Sequence, residues 1–248
     1  GHDDVEIRAG NLALGRTRLE EFDLIWPLGF GRKATYFDRM QMLRILPEDR
    51  FVVSPDALVW LHGKHRWLNH MPETHTSASP ERLLAVLTSG GDWVLKPTAG
   101  SYGRDVRLVR SGRITLAEVA EHIRVSGDGY LIAQRYLPEV FEGEQRTLVA
   151  GGELIATYTR IPDGAITSNL ASGARAAVGT LNPGQRAIVK GIAEELLSLG
   201  AGFAAIDLVG ERLMEVNVAN PGGLGTLAEL GAGDFTDAAI AAILRNRG

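Results

Sequence analysis

Three oxygen-bearing side chains, Asp207, Glu215 and Asn217, are set into the otherwise apolar stretch AIDLVGERLMEVNVANP at 205–221. A strand reading fits, because VGER supplies a turn at 210–212 and both flanks are rich in Ile, Val and Leu. With the hairpin centred near Glu211, Asp207 lies opposite Glu215, and Asn217, two residues along, shares their face. Ile206, Leu208, Met214, Val216 and Val218 then make the core face, while Phe203, Val209 and Leu213 fall on the polar one. Two carboxylates directly across a ladder repel each other. A cation between them reverses the sign of the interaction, and Mg²⁺ in particular is commonly held by one or two carboxylates plus substrate phosphates. A solvated hairpin face, the ordinary place for an acidic side chain, is the other reading.

Side chains suited to phosphate occur elsewhere. Lys96 ends a strand-like WVLKP, and Gly100 and Gly103 follow around Ser101 and Tyr102 in LKPTAGSYGRDVRLV, 95–109. The loop returns into another strand and lacks the GxxxxGK[ST] spacing that opens a helix, so it is not a Walker-type loop. Its backbone N–H groups could still cover phosphates, because glycine permits close approach; a plain hairpin loop has the same sequence. Lys64 lies on the apolar-leaning side of a predicted helix over 56–69, a pattern shared with surface lysines whose stems snorkel. Arg146 and Arg160 sit in adjacent strands of a hairpin turning at Gly151 and Gly152. Both alternate with apolar residues, so both can point into a cleft and bind phosphate or carboxylate in a bidentate way.

The elements that must carry these groups follow from the pattern. FDLIW at 22–26 reads as a short strand, 34–46 as a helix with Tyr36, Met40 and Leu43 on one face, FVV at 51–53 as a strand and 80–89 as a helix opened by Pro80. From 93 the chain reads as strand pairs: WVLKP, DVRLVR, YLIAQRYLP, QRTLVAGGELIATYTRIP and the late hairpin. One long helix interrupts them, capped by Asn182 with Pro183 at its first position, striped by Ile188, Ile192, Leu196 and Leu199, and ended by Gly200. A last helix is expected over 234–246. Antiparallel hairpins mixed with separate helices argue α+β.

With 248 residues, 45% hydrophobic and 23% charged, the chain can bury a sizeable core in one or two domains. A net charge of −4, with Lys and Arg not clustered beside aromatics, gives no footprint for nucleic acid. Cysteine is absent, which excludes disulfides, thiolate metal sites and cysteine nucleophiles and favours a cytoplasmic location. No apolar run approaches the roughly 20 residues that span a bilayer, so no membrane partner is expected.

Taken in order, the two lysines, AQRYLP, EGEQRTLVAGGELI, RIPDGAITSNLASG and AAIDLVGERLMEVNV resemble the ATP-grasp ligases, the bacterial glutathione synthetases above all, from about residue 51 to the end and more thinly from 22. The resemblance implies an ATP-grasp fold over 51–248, two α+β subdomains of antiparallel sheet and helices clasping a nucleotide, behind a truncated α/β remnant at 1–50. It implies an ADP-forming carboxylate–amine ligase that makes an amide or peptide bond through an acyl phosphate. Lys64 and Lys96 would meet the nucleotide, under a lid from Thr98 to Arg104 that includes Ser101, Tyr102 and Gly103. Gln134, Arg135, Tyr136 and Leu137 would contact adenine largely through backbone, and Glu144 would accept ribose hydroxyls. Asp207, Glu215 and Asn217 would hold two Mg²⁺, or Mn²⁺ in their place, and Arg146, Arg160 and Asn169 would surround the transferred phosphoryl group.

Three departures touch the substrate. The complete α/β domain that precedes the core in glutathione synthetases is represented here by FDLIW and one helix. Ser168 stands where the family carries an arginine before the asparagine, with Arg175 further along the same loop, and ANPGGLGTL, containing Asn220, replaces a serine-containing polar run. Ser168, Arg175 and Asn220 therefore fall where the acid or amine docks. The expected substrates are a small-molecule carboxylate and an amine, such as glutamate or glycine added to a small partner, or a substrate supplied by another protein; a homo-oligomer is compatible. Glutathione synthetase proper, an ATP-dependent kinase and a non-catalytic nucleotide-binding module are the alternatives.

Overall fold

The computed structural model describes residues 5–8, 11–14, 17–29, 31–62, 64–98, 105–127, 129–163, 170 and 173–246. A three-stranded antiparallel sheet of β1 (Val5–Arg8), β2 (Asn11–Leu14) and β3 (Thr17–Arg18) opens the chain. The helices α1 (Tyr36–Leu43) and α2 (Pro55–Trp60) follow. Ser54 caps α2, its Oγ accepting from the Ala57 amide at 3.1 Å.

The predicted front elements are shorter than their pattern suggested. FDLIW contributes only a parallel bridge from Ile25 to Phe51, and FVV only that bridge and an antiparallel one from Val53 to Ala201. The helix expected over 56–69 breaks into α2 and a 3-10 segment, His65–His70, with Trp67 outside helical angles at φ −110°, ψ 15°. Leu58 and Trp67 are both buried in one core. Nine residues at about 100° each would put them on opposite faces of a continuous helix, so the chain must turn between them.

The N-terminal lobe runs from β4 (Thr74–Ser77) through α3 (Pro80–Leu87), β5 (Trp93–Pro97), β6 (Arg107–Val109) and α4 (Leu116–Ser126) to β7 (Leu131–Arg135). Its antiparallel sheet has the order β4-β7-β5-β6. Leu83, Leu87, Trp93, Leu95, Val119 and Leu131 form a core between this sheet and its two helices. Alternation then turns Val94, Lys96, Ile132 and Gln134 to the opposite face. Helix α4, absent from the reading above, carries a full capping box between Thr115 and Glu118 and ends on Gly127 at φ +66°.

The C-terminal lobe is the sheet β10-β9-β8-β11-β12, built from β8 (Glu144–Ala150), β9 (Glu153–Ile161), β10 (Arg175–Val178), β11 (Phe203–Val209) and β12 (Arg212–Asn217). Helix α5 (Pro183–Ser198) separates β10 from β11, and α6 (Leu224–Glu229) and α7 (Thr236–Arg245) close the chain. Val189, Ile192 and Leu196 of α5 pack on Val149, Ile206, Leu208 and Val216. On the opposite face Leu148, Tyr158, Ala205 and Leu227 make a smaller core, leaving the rest of that face for charge.

The late hairpin pairs Asp207 with Glu215 as its spacing predicts, but the register then shifts, and Leu208 faces Leu213. Met214 is the extra residue of this bulge, which moves Leu213 from the expected polar face into the core beside Leu208. Phe203, expected on the polar face, is likewise buried, edge-on to Trp26 at 4.9 Å between centroids.

The front segment is sewn to the C-terminal lobe. Ser54 N donates to Gly200 O at 2.9 Å and Gly202 N to Val52 O at 2.7 Å. A Cβ on Gly202 would lie 2.8 Å from that same Val52 oxygen, so this contact requires glycine.

Candidate functional site

Strand register brings four charged groups to one spot. Arg146 on β8 is paired with both Tyr158 and Asp207, and Glu144 with Arg160. Arg146 grips Asp207 in a bidentate way, Nε to Oδ1 at 2.7 Å and Nη2 to Oδ2 at 2.6 Å, and its Nη1 donates to Pro221 O at 3.1 Å. Arg160 Nη2 donates to Asp207 Oδ2 at 2.9 Å and to Glu144 Oε1 at 2.8 Å. Asn217 Nδ2 adds a 3.2 Å contact to Asp207 Oδ2. Beside them Lys64 Nζ donates to Glu215 Oε1 at 2.7 Å.

The repulsion expected between Asp207 and Glu215 is thus answered by the protein's own cations. Asp207 is fully buried and Lys64, Glu144 and Arg160 nearly so, where an unpaired charge would be prohibitive. Burial pushes the Asp207 carboxyl up, but Arg146 and Arg160 together outweigh it and hold it below its ordinary value. Burial likewise opposes Glu215, and Lys64 brings it down. For Glu144 burial wins over Arg160, with Asp207 adding to the rise.

Facing this cluster from the N-terminal lobe, Lys96 Nζ donates to Gln134 Oε1 at 2.7 Å, and Gln134 Nε2 donates to Thr74 Oγ1 at 2.9 Å. Burial, then the charge of Lys64, lowers Lys96 to about 8, against smaller upward pulls from Glu215 and Glu144. Arg135 points the other way: its guanidinium lies 3.8 Å over the Trp93 ring and donates to Glu73 Oε2 at 2.7 Å and Gly90 O at 2.6 Å. Tyr136 continues from it, its amide donating to Asp92 O at 3.0 Å, and Leu137 precedes a 3-10 turn at Pro138–Glu142.

Lys64 is not on a helix but at the break before the 3-10 segment. Arg175 opens β10 with an exposed side chain, and Asn220 is exposed in the left-handed region at φ +49°, next to the carbonyl that Arg146 holds. Ser101, Tyr102, Gly103, Ser168 and Asn169 lie outside the described residues. Thr74 and His62 went unnoticed in the sequence. Burial lowers His62, with Glu215 raising it and Lys64 lowering it; its adjacency to Lys64 in HGK was the available signal.

The oxygens of Asp207, Glu215 and Asn217, adjacent on one sheet face, are hard donors that suit Mg²⁺. Among the described residues no group of three or more His, Cys, Asp or Glu gathers for a metal. A set of two carboxylates and one amide leaves coordination positions for phosphate, which is how Mg²⁺ is usually held. Among the described residues no helix is long and apolar enough to cross a membrane.

The family profile of the prokaryotic glutathione synthetase ATP-grasp domain matches residues 63–231. The glutathione synthetase of Citrobacter rodentium is 35% identical over 158 residues, 62% of this chain and 50% of that protein. The chain therefore spans about half the length of the curated relatives it matches. A RiPP-associated ATP-grasp ligase of Chryseobacterium gregarium, solved with ADP and a leader and core peptide, is similar at TM-score 0.65 and 17% identity over 97% of this chain and 83% of that one. D-alanyl-alanine synthetase A of Vibrio cholerae is similar at TM-score 0.65 and 15% identity, over 98% and 82% of the two chains. At such identities the likeness is one of fold.

Proposed function

Because the chain belongs to the ATP-grasp domain family of prokaryotic glutathione synthetases, we propose that it acts as an ADP-forming carboxylate–amine ligase. The observation that carries this reading is the set of Arg146, Arg160 and Lys64 bonded to the buried Asp207 and the half-buried Glu215, faced by Lys96 from the other lobe. Such a set suits a polyanion and the hard cation that accompanies it.

The chemistry asks for this arrangement. A carboxylate is a poor acyl donor because its leaving group would be oxide. Transfer of the γ-phosphoryl of ATP to a carboxylate oxygen gives an acyl phosphate and ADP; attack of an amine on the acyl carbon then forms the C–N bond and expels phosphate. The protein has to neutralise the triphosphate, align the acceptor oxygen with phosphorus and exclude water. No protein nucleophile is needed.

In this reading Lys64 and Lys96 bind the phosphates, and Gln134 to Leu137 line adenine through backbone. Glu144 accepts a ribose hydroxyl with the oxygen that Arg160 does not hold. Asp207, Glu215 and Asn217 hold Mg²⁺, as two ions or with Mn²⁺ in their place, which when bound supplies charge neutralisation at the phosphate oxygens. Arg146 and Arg160 bind the transferred phosphoryl group; Arg160 Nε is buried without a hydrogen-bond partner and is a donor available for it. Asn169 assists there, Ser101, Tyr102 and Gly103 cover the phosphates, and Ser168, Arg175 and Asn220 meet the acid or amine. The ATP-grasp unit is assigned to 51–248, with 1–50 as a preceding segment. The substrates are a carboxylate and an amine other than those of glutathione synthesis, as the changes at Ser168 and in ANPGGLGTL suggest.

Incubation with ATP, Mg²⁺ and a panel of amino acids and small carboxylates, followed by mass analysis, tests the reading. An amide formed with one ADP and one phosphate per bond is expected. A stable phosphate ester would make the protein a kinase, and bound ATP never consumed with any acid or amine would make it a binding module. Glu215→Gln keeps an acceptor for Lys64 but removes its counter-charge, so it should still fold, at a lowered melting midpoint, while turnover falls by more than the roughly 100-fold typical of losing a group that merely supports a metal ligand. Near-normal turnover in that variant would remove the metal assignment.

A further inference from the structure

We propose that Thr74 is a positioning residue for the nucleotide: through the carboxamide of Gln134 it holds Lys96 with neutral groups alone, leaving that ammonium to take its counter-charge from the phosphates. The inference rests on the reading above that Lys96 meets the nucleotide.

Thr74 and Gln134 are directly opposite each other on β4 and β7. Gln134 is 1% exposed, so each of its polar atoms needs an internal partner. A lysine ammonium can only donate, so the amide oxygen faces charged Lys96, and the amide nitrogen is thereby directed at Thr74, whose hydroxyl oxygen accepts it. Remove that acceptor and a buried NH₂ is stranded, with nothing to hold the carboxamide in this orientation.

The anions near Lys96 are already engaged. Glu215 on β12 is taken by Lys64, and Glu144 on β8 by Arg160. Lys64 itself faces Lys96 as a like charge. A glutamate at position 134 would give Lys96 a permanent ion pair; glutamine gives it a place but no compensation. Desolvation and the like charge of Lys64 consequently lower this amine to about 8, and an arriving phosphate restores its proton. Nucleotide binding above that pH then takes up a proton, and affinity falls by up to about tenfold per pH unit.

Calorimetric titration of the full chain with Mg²⁺ and the imido analogue of ATP, at pH 8.5 in two buffers of different ionisation enthalpy, reads the uptake directly. Wild-type protein should show a buffer-dependent enthalpy corresponding to most of one proton, and Gln134→Glu essentially none. Thr74→Val should weaken binding about fivefold or more, the cost of one hydrogen bond, and Thr74→Ser should restore it. On the free protein, the ¹³Cε resonance of Lys96 should titrate near pH 8 in wild type and well above that in Gln134→Glu. Tight binding with buffer-independent enthalpy, a Lys96 resonance that titrates at the ordinary lysine value, or Thr74→Val behaving as wild type would each overturn the relay while leaving the nucleotide reading intact. Unaltered nucleotide affinity in Lys96→Met would instead overturn the reading on which the relay rests.

Discussion

The two lobes bury charge in opposite ways. In the C-terminal lobe Asp207 sits among two guanidinium groups and an amide, Glu144 shares one of those guanidinium groups, and Glu215 holds Lys64. In the N-terminal lobe Lys96 is half-buried, yet its hydrogen-bond partner is a neutral carboxamide. Pairing leaves a site in which the carboxylates are already neutralised by the protein's own cations. An uncompensated ammonium leaves a site under tension that a polyanion relieves. The contrast separates a part of the cleft that resists change from a part that responds to what arrives.

The sharpest way to break this comparison is Asp207→Ala, which leaves Arg146 without its anion and Arg160 with Glu144 alone. A loss of about 3–5 kcal/mol in urea denaturation is expected, the usual cost of removing one partner of a buried pair; a midpoint equal to wild type would mean the arginines need no partner. Lys96→Met should act with the opposite sign. A lysine lowered from 10.5 to about 8 on folding carries a penalty of up to about 3 kcal/mol at pH 7, so methionine stabilises by up to that amount. Because the folded value lies below the unfolded one, wild-type stability rises between about pH 8 and 10.5, and the advantage of methionine fades over that window. A variant less stable than wild type at both pH 7 and pH 10.5 would contradict the picture of an uncompensated charge. Smallest in effect, Thr115→Ala and Asn182→Ala each remove a capping box, one per lobe. Each should cost about 1 kcal/mol, and near-equal losses by denaturation would place the difference between lobes in their charges rather than in their helices.

What could be read ahead of the structure was whatever short stretches determine. Gly210 and Glu211 set a tight turn, so the opposition of Asp207 and Glu215 followed from counting. Asn182 and Pro183 announced α5 in the same way. The bulge at Met214 did not, because both Leu213 and Met214 are apolar and only packing chooses which faces the core. Helix α4 was legible in TLAE and went unread among neighbouring strands. The contacts that give the site its character were beyond reach: Lys64 meets Glu215 across 151 positions of chain, and Lys96 meets Gln134 across 38. No local pattern encodes a partner that the tertiary fold supplies. That Arg146, Arg160 and Lys64 bond directly to these carboxylates could not be read from their spacing.

The attachment of the front segment has a mechanical consequence. Val52, Val53 and Ser54 are anchored to Gly200–Gly202 and Lys64 is bonded to Glu215, so Lys64 travels with β8 to β12. The chain leaves that body after Met71 and returns by Pro138, and the two crossings lie side by side, Arg135 N donating to Glu73 O at 2.8 Å where Thr74 pairs with Gln134. The described part of 74–135 is therefore joined to that body by two adjacent crossings and by a 3.0 Å contact between His65 Nε2 and Thr76 Oγ1. Lys96 lies beyond those crossings and Lys64 before them, so a change of angle there would alter the gap between the two ammonium groups, with Thr74 at the root.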